Sequence, residues 1–314
     1  MIITLDKAVE LLLKGELVAI PTETVYGLAA RYTDLQAIIS IFVTKGRPSD
    51  NPIIVHISNI EQLNLLTNDI TDRHKALMDA FWPGPLTLIF NKLPNVFDKI
   101  TGGLNTVAVR MPSHPIALQL IDKVGPIVAP SANKAGKPST TRVEHILHDY
   151  SGYISVLDGG VCEIGIESTV FDCTEENSGC LLRPGKISQK DLLDVLGDYE
   201  IETPKNGHIT VKPKSPGMKY THYAPNATVR WMNTSELEGV FQNKTRYLFI
   251  HGNFITGNHK GYSSNFEMFS KELFDQFRFA DDYNEKEIAI EPFSAEDNPL
   301  APALLNRILK AMEH

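Results

Sequence analysis

Apolar residues along this chain recur with two spacings, one typical of amphipathic helices and the other of buried strands, and the two alternate. Residues 35–45 carry apolar side chains at helical spacing, and Gly46 follows as a residue that tolerates the left-handed end of a helix. The continuous apolar run at 53–57 is typical of a strand covered on both faces. Alternation of this kind predicts an α/β fold.

Further helices and strands follow from the same spacings and from the turn residues between them. Predicted helices lie at 5–14, at 35–45, twice between 59 and 81, at 142–149 and at 189–196. Predicted strands lie at 17–20, 53–57, 86–90, 106–110, 126–130, 154–158, 168–172 and 180–184. Thr141 and Glu144 have the spacing of a capping box, and Ser188 is the predicted N-cap of the last helix.

The composition of the chain changes near residue 200. Residues 201–226 are rich in proline, lysine and glycine without a long apolar period, which is typical of a linker. A smaller alternation follows, with predicted strands at 228–232, 246–252 and 288–293 and helices near 235–242, 267–283 and 300–312. We therefore expect a first domain over 1–200, a linker over 201–226 and a small Rossmann-like domain over 227–314. The last domain lacks GxGxxG, so dinucleotide binding is not supported.

Composition and charge narrow the class of protein. The chain has 314 residues, of which 42% are hydrophobic, so it can bury cores of ordinary size. Its net charge of −8 disfavours a general nucleic-acid binder, which needs an excess of Lys and Arg. Three cysteines without a CxxC pair indicate free thiols in a reducing compartment. There is no signal-peptide pattern and no apolar run of about 18 residues, so we expect a cytoplasmic protein without a membrane span.

Polar clusters follow several predicted strands, the position at which open α/β sheets usually bind ligands. Thr22 and Thr24 come directly after the strand at 17–20, as in a substrate pocket or in an ordinary strand-to-helix turn. Lys45 and Arg47 lie in a segment stiffened by prolines, where two cations can grip a polyphosphate. A solvated basic loop is the alternative for this pair.

Other predicted strands also carry or lead into candidate chemistry. Arg110 ends the strand at 106–110, and its guanidinium needs an anion, either a substrate carboxylate or a structural acidic partner. His56 lies inside an apolar strand, where a hydrogen-bonded core histidine is the more common role. The segment 129–141 offers small hydroxyls and backbone N–H groups next to a helix N-terminus, an arrangement that favours phosphate.

Several familiar catalytic patterns are absent from the sequence. There is no GxxxxGK[ST], which disfavours the P-loop nucleotide hydrolases. There is also no GxSxG and no zinc-ligand spacing, so neither a hydrolase triad nor a zinc site is indicated.

Blocks of sequence in a fixed order connect the polar clusters to a known family. The blocks are IPTETVYGLAA, KGRPSDNPIIVHI, FWPGPLTLIF, TVAVRMPSHP, PSANKAGKPS, LDGG, GIESTVFD and LLRPGKIS within about residues 18–188, and SPGMKYTHYAP at 215–225. Together they resemble the YrdC-like family and, within it, the two-domain branch of threonylcarbamoyl-AMP synthases. The resemblance implies a YrdC-like twisted mixed sheet with flanking helices.

The resemblance also implies an activity. L-threonine, bicarbonate or CO2, and ATP with Mg²⁺ would give L-threonylcarbamoyl-AMP and pyrophosphate, which is a nucleotidyltransferase reaction. A separate transfer complex would then pass the threonylcarbamoyl group to the adenosine beside the tRNA anticodon. This chain would therefore need no stable nucleic-acid contact of its own.

Site residues are carried over by the same resemblance. Threonine is expected between Thr24, His56, Arg110, Ala129 and Ser168, with Arg110 on its carboxylate. The nucleotide is expected on Lys45, Arg47, Asn51, Thr106, Ser131, Asn133, Ser139, Arg183 and Tyr223. Lys45 and Arg47 are expected to be catalytic, because they would stabilise charge on the departing pyrophosphate. Lys219, Tyr220 and Tyr223 form an expected lid, and no protein side chain is expected to bind the metal.

Two other functions stay open on the sequence. A YrdC-like module that binds RNA without catalysis would bind in a salt-sensitive way, and the acidic balance of the chain disfavours it. A carbamoyl-adenylate former on a related scaffold would use carbamoyl phosphate instead of threonine. The motif SPGMKYTHYAP favours threonine over that alternative.

Overall fold

The backbone forms two β-sheets with helices packed against them, which confirms the predicted α/β class. The computed structural model describes residues 1–203, 223–252 and 258–313, and the backbone alone of 255–256. Most of the predicted linker therefore lies outside the described residues. Within those ranges, no helix is long and apolar enough to cross a membrane.

The larger sheet is mixed and contains eleven strands. In chain order they are β1 (Ile2–Ile3), β2 (Val18–Ile20), β3 (Gly27–Arg31), β4 (Val55–His56), β5 (Leu86–Asn91), β6 (Thr106–Arg110), β7 (Ile127–Val128), β8 (Ser155–Leu157), β9 (Thr169–Asp172), β10 (Ser178–Arg183) and β11 (Glu200–Glu202). Their order across the sheet is β1-β8-β2-β3-β7-β4-β6-β5-β9-β10-β11. The helices of this part are α1 (Leu5–Leu13), α2 (Leu35–Lys45), a 3₁₀ helix (Ile60–Leu65), α3 (Asp72–Phe81), α4 (Asp98–Thr101), α5 (Pro115–Val124), α6 (Val143–Asp149) and α7 (Gln189–Leu196).

The smaller sheet lies in the C-terminal part and has five strands. They are β12 (Thr228–Trp231), β13 (Thr245–Phe249), β14 (Ile255–Thr256), β15 (His259–Gly261) and β16 (Glu287–Ile290), with helices α8 (Thr234–Leu237), α9 (Phe266–Asp282) and α10 (Ala301–Met312). The order is β12-β16-β13-β15-β14, and every pair except β14 with β15 is parallel. This parallel sheet with helices is the Rossmann-like unit that the sequence predicts.

Helix α2 has the predicted bounds, and its chemistry explains why. The face carrying Ile38, Ile41 and Lys45 is buried, as the helical spacing of the apolar positions indicates. Gly46 follows at φ 65°, the left-handed conformation that suits glycine at a helix end. The chain therefore changes direction between Lys45 and the residue after Gly46.

The predicted capping box of Thr141 and Glu144 was wrong. Helix α6 begins after Arg142 and has no side-chain cap. The Thr141 N–H instead donates to Nδ1 of His145 at 3.3 Å, so an imidazole one position further along takes the place of the expected carboxylate. By contrast, Ser188 caps α7 as predicted, in a capping box with Asp191.

Several predicted elements are shorter in the structure, and those at 53–57 and near 235–242 illustrate why. In the apolar run at 53–57, only Val55 and His56 form strand pairs, because Ile53 bonds to Ile100 outside the sheet ladder. The helix expected near 235–242 contains Thr234–Leu237, and Gly239 follows at φ 95°, which the helical conformation does not allow. Strand β3 was not predicted, since its small residues follow the polar turn at Thr22 to Gly27.

Neighbouring strands in the middle of the larger sheet place the polar clusters together. Strand β4 runs parallel to β6, and His56 pairs in register with Arg110. Gly27, at the start of β3, bridges to Ser131 after β7. A Cβ at Gly27 would lie 3.0 Å from the Cβ of Ala129, so this approach favours glycine. The segments after β2, β4, β6 and β7 therefore meet at one place.

The two sheets share a tightly packed boundary. The hydrophobic core around the smaller sheet includes Val25, Ile164 and Ile166, which come from the first part of the chain. Gly165 lies between the last two at φ 83°, and a Cβ there would lie 2.4 Å from Cα of Lys271 in α9. The backbone of α9 thus rests directly on the GIES motif.

Candidate active site

A pocket of about 60 Å³ lies where the central strand ends meet. The structure brings ten of the residues assigned to substrates onto its wall: Thr24, Arg47, His56, Arg110, Ala129, Ser131, Asn133, Ser168, Arg183 and Tyr223. The wall also contains six residues that the sequence analysis did not assign: Thr22, Val25, Gly27, Ile54, Pro130 and Glu167. Most of the predicted site residues therefore share one pocket, and Glu167 is the charged wall residue that was not assigned.

Arg110 is held on three sides at one end of this pocket. Its Nη1 donates to Oγ1 of Thr24 at 2.8 Å, and its Nε donates to the carbonyl of Gly84 at 3.1 Å. Its Nη2 lies 2.6 Å from Oε1 of Glu23, and both side chains of this ion pair are at most 5% exposed. Of the two alternatives that the sequence left open, the structural acidic partner is present in Glu23, and binding of a substrate carboxylate by Arg110, which also faces the pocket, stays a prediction. Fixed hydrogen bonds of this kind orient the guanidinium for a planar carboxylate.

Arg47 and Arg183 bring further positive charge to the wall. Arg183 donates from Nε to the carbonyl of Ser168 at 3.0 Å and from Nη2 to its hydroxyl at 3.1 Å. Arg47 donates to the carbonyl of Pro52 at 2.8 Å. Neither guanidinium forms a salt bridge with any of the described residues. Burial lowers the pKa of Arg47 to about 10, so it stays cationic at neutral pH, and the two charges favour an anionic ligand.

Lys45 lies behind the wall and does not line the pocket. Its Nζ donates to the carbonyls of Ser131 and Asn133, and the residue is 3% exposed. Burial lowers the pKa of Lys45 well below its ordinary value, and repulsion by Arg47 lowers it further. In this structure the amine supports the segment that carries Ser131 and Asn133. Its assignment as a catalytic phosphate ligand stays a prediction.

Three other residues assigned to the nucleotide do not line the pocket. Asn51 is buried beyond α2, and Thr106 begins β6, at the opposite end of that strand from Arg110. Ser139 is fully buried, and its hydroxyl donates to Oε1 of Glu167. The roles of these three residues in binding ATP stay predictions.

Glu167 is the functional candidate that the sequence reasoning missed. Its Oε2 accepts a hydrogen bond from Nε of Arg307 at 2.9 Å, and its Oε1 accepts one from Ser139. Burial raises the pKa of this carboxyl, but Arg307 and Arg183 and the bond from Ser139 outweigh it and leave the pKa below its ordinary value. The position of Glu167, directly before Ser168 in the block GIESTVFD, is the feature of the sequence that could have indicated it as a site residue.

Tyr223 closes the pocket from the C-terminal side. It has a positive φ of 69° and is 5% exposed. Its ring stacks on Phe274 with centroids 5.2 Å apart, and the guanidinium of Arg307 lies 5.6 Å from its centroid. The other two residues of the expected lid, Lys219 and Tyr220, lie outside the described residues.

His56 is a neutral imidazole in the wall. Burial lowers its pKa from the ordinary 6.5 to about 3, and the charge of Arg110 contributes to the shift. Its Nδ1 is buried without a hydrogen-bond partner among the described residues. A neutral ring nitrogen that lacks a protein partner is available to a polar group of a ligand.

We expect the low pKa of His56 to make the protein less stable in mild acid. Between about pH 6.5 and 3 the unfolded chain binds a proton at this ring and the folded chain does not, so the free energy of unfolding falls as the pH falls. Between pH 7 and pH 5 this ring should account for a loss of about 2 kcal/mol. Urea unfolding of the wild type and of His56→Gln at both pH values measures it.

The variant should lose about 2 kcal/mol less than the wild type over that interval. His148→Gln is the matched control, because that side chain is 75% exposed and loses few contacts on unfolding. Burial also lowers the pKa values of His74 and His145, so the variant should retain some pH dependence. Equal pH dependence in His56→Gln and wild type would contradict a neutral, buried His56.

The described residues contain no group of three or more His, Cys, Asp or Glu side chains placed to bind a metal ion. The wall nevertheless carries the side-chain oxygen of Asn133, which is buried and has no hydrogen-bond partner among the described residues. The carboxylate of Glu167 also lies on the wall, but both of its oxygens already accept hydrogen bonds. Such a wall fits a hydrated cation that binds together with a polyphosphate ligand. It does not surround a metal ion with protein ligands.

Comparison with known families covers both parts of the chain. Residues 10–185 match the family Sua5_yciO_yrdC, described as "Telomere recombination". Residues 187–312 match the family described as "Threonylcarbamoyl-AMP synthase, C-terminal domain". The two matched segments follow one another, so nearly the whole chain is accounted for.

Individual relatives agree with these matches. A threonylcarbamoyl-AMP synthase of Bacillus subtilis (strain 168) is 41% identical over 323 residues, which cover 97% of this chain and 92% of the relative. A second, of Pyrococcus abyssi, is 50% identical over 218 residues, which cover 69% of this chain and 64% of the relative. The crystal structure of P. abyssi Sua5 complexed with L-threonine has a TM-score of 0.89 at 38% identity and covers 100% of this chain and 98% of that one.

Proposed function

This chain belongs to the threonylcarbamoyl-AMP synthase family, and from that premise we propose how its pocket synthesises L-threonylcarbamoyl-AMP. The substrates would be L-threonine, bicarbonate or CO2, and ATP, and pyrophosphate would leave. One observation carries the proposal: Arg47, Arg110 and Arg183 line a single pocket, and only Arg110 has an acidic partner among the described residues. One end of the pocket suits a carboxylate and the other suits phosphates.

The end at Arg110 would bind threonine. Arg110 and the Thr24 hydroxyl are fixed to one another, and the neutral ring of His56 lies on the strand next to Arg110. The guanidinium would accept the amino-acid carboxylate, while the ring nitrogen of His56 would bond to a polar group of the substrate. The solved P. abyssi relative binds L-threonine, which supports this assignment.

The end at Arg47 and Arg183 would bind ATP. The threonine amine would first form a carbamate, with loss of water when bicarbonate reacts or of a proton when CO2 reacts, and an oxygen of that carbamate would attack the α-phosphorus. The bond between the α-phosphorus and the oxygen that leads to the β-phosphate breaks, and pyrophosphate departs with its negative charge. Cations already fixed beside that charge stabilise the transition state without reorganising, so positioning and electrostatics would carry the catalysis.

Mg²⁺ would accompany ATP in this scheme. When bound, the ion would add positive charge beside the phosphate oxygens. The Asn133 side-chain oxygen is the wall group that fits its water shell. Magnesium commonly keeps several waters and binds through substrate phosphates, so this wall needs no further protein ligand.

The product is an activated acyl phosphate that water destroys. Tyr223 covers the pocket from the C-terminal side and would slow the entry of water. A separate complex that transfers the threonylcarbamoyl group to tRNA would then consume the product. The acidic balance of this chain agrees with its not holding tRNA by itself.

The experiment that tests this function is pyrophosphate release from ATP by the purified chain, with L-threonine and bicarbonate omitted in turn. We expect release only when both are present. Release that ignores L-threonine but requires carbamoyl phosphate would instead identify a carbamoyl-adenylate former. Folded protein that binds ATP but releases no pyrophosphate under any of these conditions would contradict a synthase.

A further inference from the structure

The C-terminal helix α10 inserts one arginine into the first part of the chain. Arg307 is completely buried, although it lies on the apolar face of α10 with Leu304 and Ile308. Its Nε donates to Oε2 of Glu167 at 2.9 Å, and its Nη1 donates to the carbonyl of Pro184 at 2.8 Å. Burying a cation costs free energy of desolvation. Well-placed partners, such as these two across the domain boundary, are needed to offset that cost.

The partner of Arg307 belongs to the pocket. Glu167 lines the wall, and its second oxygen accepts a hydrogen bond from Ser139. One carboxylate therefore connects α10 to a residue assigned to the nucleotide. The direction of that bond is also fixed, because an ionised carboxylate only accepts, so the Ser139 hydroxyl donates to it and keeps its lone pairs for another donor.

A second arginine of the same domain holds the neighbouring backbone. Arg278 of α9 donates from Nη2 to the carbonyl of Pro138 at 2.5 Å. It also forms a bidentate ion pair with Asp149, with N–O distances of 2.8 and 2.9 Å. Two arginines of the C-terminal domain thus hold this segment. Arg278 holds the backbone of Pro138 directly, and Arg307 holds the side chain of Ser139 through Glu167.

We propose that Arg307 is a positioning residue for the nucleotide end of the pocket, and that it acts by holding the carboxylate of Glu167. The proposal rests on the proposed function, because that function places ATP at Arg183, which bonds to Ser168, the residue after Glu167. The C-terminal domain would then help to complete the ATP site through Arg307. Glu167 would present its carboxylate on the wall, where it suits a donor such as a ribose hydroxyl or the adenine amino group, and the buried Ser139 would help to hold that carboxylate in place.

The test separates the two substrates. Arg307→Met should weaken the binding of ATP by about 10-fold or more, the usual consequence of losing a hydrogen bond to a charged group. The dissociation constant for L-threonine alone should stay within about 2-fold, because within the described part of the chain the side chains of Arg110 and Thr24 form no hydrogen bond with Arg307, Glu167 or Ser139. Calorimetric titration with each ligand, together with the KM for ATP and for L-threonine, gives both values.

Two further variants decide the interpretation. Arg307→Lys keeps a cation opposite Glu167 and should restore most of the ATP affinity. Asp275→Asn is the matched control, since it removes ion pairs to Arg142 and His145 across the same domain boundary but touches no residue of the pocket wall. It should leave the affinities for both ligands unchanged.

Several outcomes would overturn the proposal. Equal losses of ATP and L-threonine affinity in Arg307→Met would indicate general damage, and no loss of either would show that Arg307 is dispensable. If Arg307→Met does not fold, the double variant Arg307→Gln with Glu167→Gln leaves no buried charge unpaired, and unchanged ATP affinity in it would reject the proposal. Wild-type protein that binds ATP but shows no threonine-dependent pyrophosphate release would refute the proposed function instead, and the titrations would still test Arg307.

Discussion

Arg47→Ala should abolish threonine-dependent pyrophosphate release and leave the binding of L-threonine intact. Arg47 lines the pocket as a half-buried cation, and it has no salt-bridge partner among the described residues. If it stabilises the charge that develops on pyrophosphate, its removal costs about 10² to 10³ in kcat, as for other preorganised donors to a developing anion. Steady-state pyrophosphate release at saturating substrates measures the effect.

Two further variants serve as comparisons for Arg47→Ala. Arg47→Lys keeps the charge but loses the planar fork, so its activity should fall between that of wild type and Arg47→Ala. Arg31→Ala is the control, because Arg31 is half-buried too but lies at the end of β3 away from Gly27 and the pocket. Normal turnover in well-folded Arg47→Ala protein would remove Arg47 from the phosphate site.

Arg110→Met should lose both L-threonine binding and much of the stability of the protein. The ion pair with Glu23 is buried on both sides, so removing the cation leaves an uncompensated buried charge and costs about 3–5 kcal/mol. The affinity for L-threonine should fall by about 10-fold or more, because the carboxylate loses a charge-assisted bond. Urea unfolding and calorimetric titration report the two effects separately.

A second substitution distinguishes the two roles of Arg110. In Glu23→Gln with Arg110→Met no buried charge remains unpaired, so most of the stability should return. Binding of L-threonine should stay lost, since the group that accepts the carboxylate is still absent. Recovery of threonine binding together with stability would mean that Arg110 acts only as a structural partner of Glu23.

The sequence predicted which side chains lie together best where a strand end directly exposes them. Arg110 and His56 lie in register on neighbouring strands, and strand pairing alone brings them together. Lys45 and Arg47 show the limit of this reasoning. They are two residues apart, but Lys45 is on the buried face of α2, and the left-handed Gly46 turns the chain before Arg47 reaches the wall.

Long-range contacts were the part that local pattern could not supply. Glu167 and Arg307 are 140 positions apart, and neither has a neighbouring motif that names the other. Arg307 lies on the apolar face of a predicted helix, which indicates that its charge has a buried partner. The sequence does not indicate which residue that partner is. The capping box predicted at Thr141 failed for a local reason. The imidazole of His145, four residues away, accepts the hydrogen bond from the N–H group that Glu144 was expected to bind.

Packing at the domain boundary has a consequence for how this protein melts. Val25, Ile164 and Ile166 belong by sequence to the first part of the chain but by contact to the core of the C-terminal sheet. Unfolding that sheet alone would expose these apolar side chains to water and leave Glu167 without its ion-pair partner Arg307. Calorimetry should therefore record a single cooperative transition, with equal van 't Hoff and calorimetric enthalpies, despite the presence of two sheets.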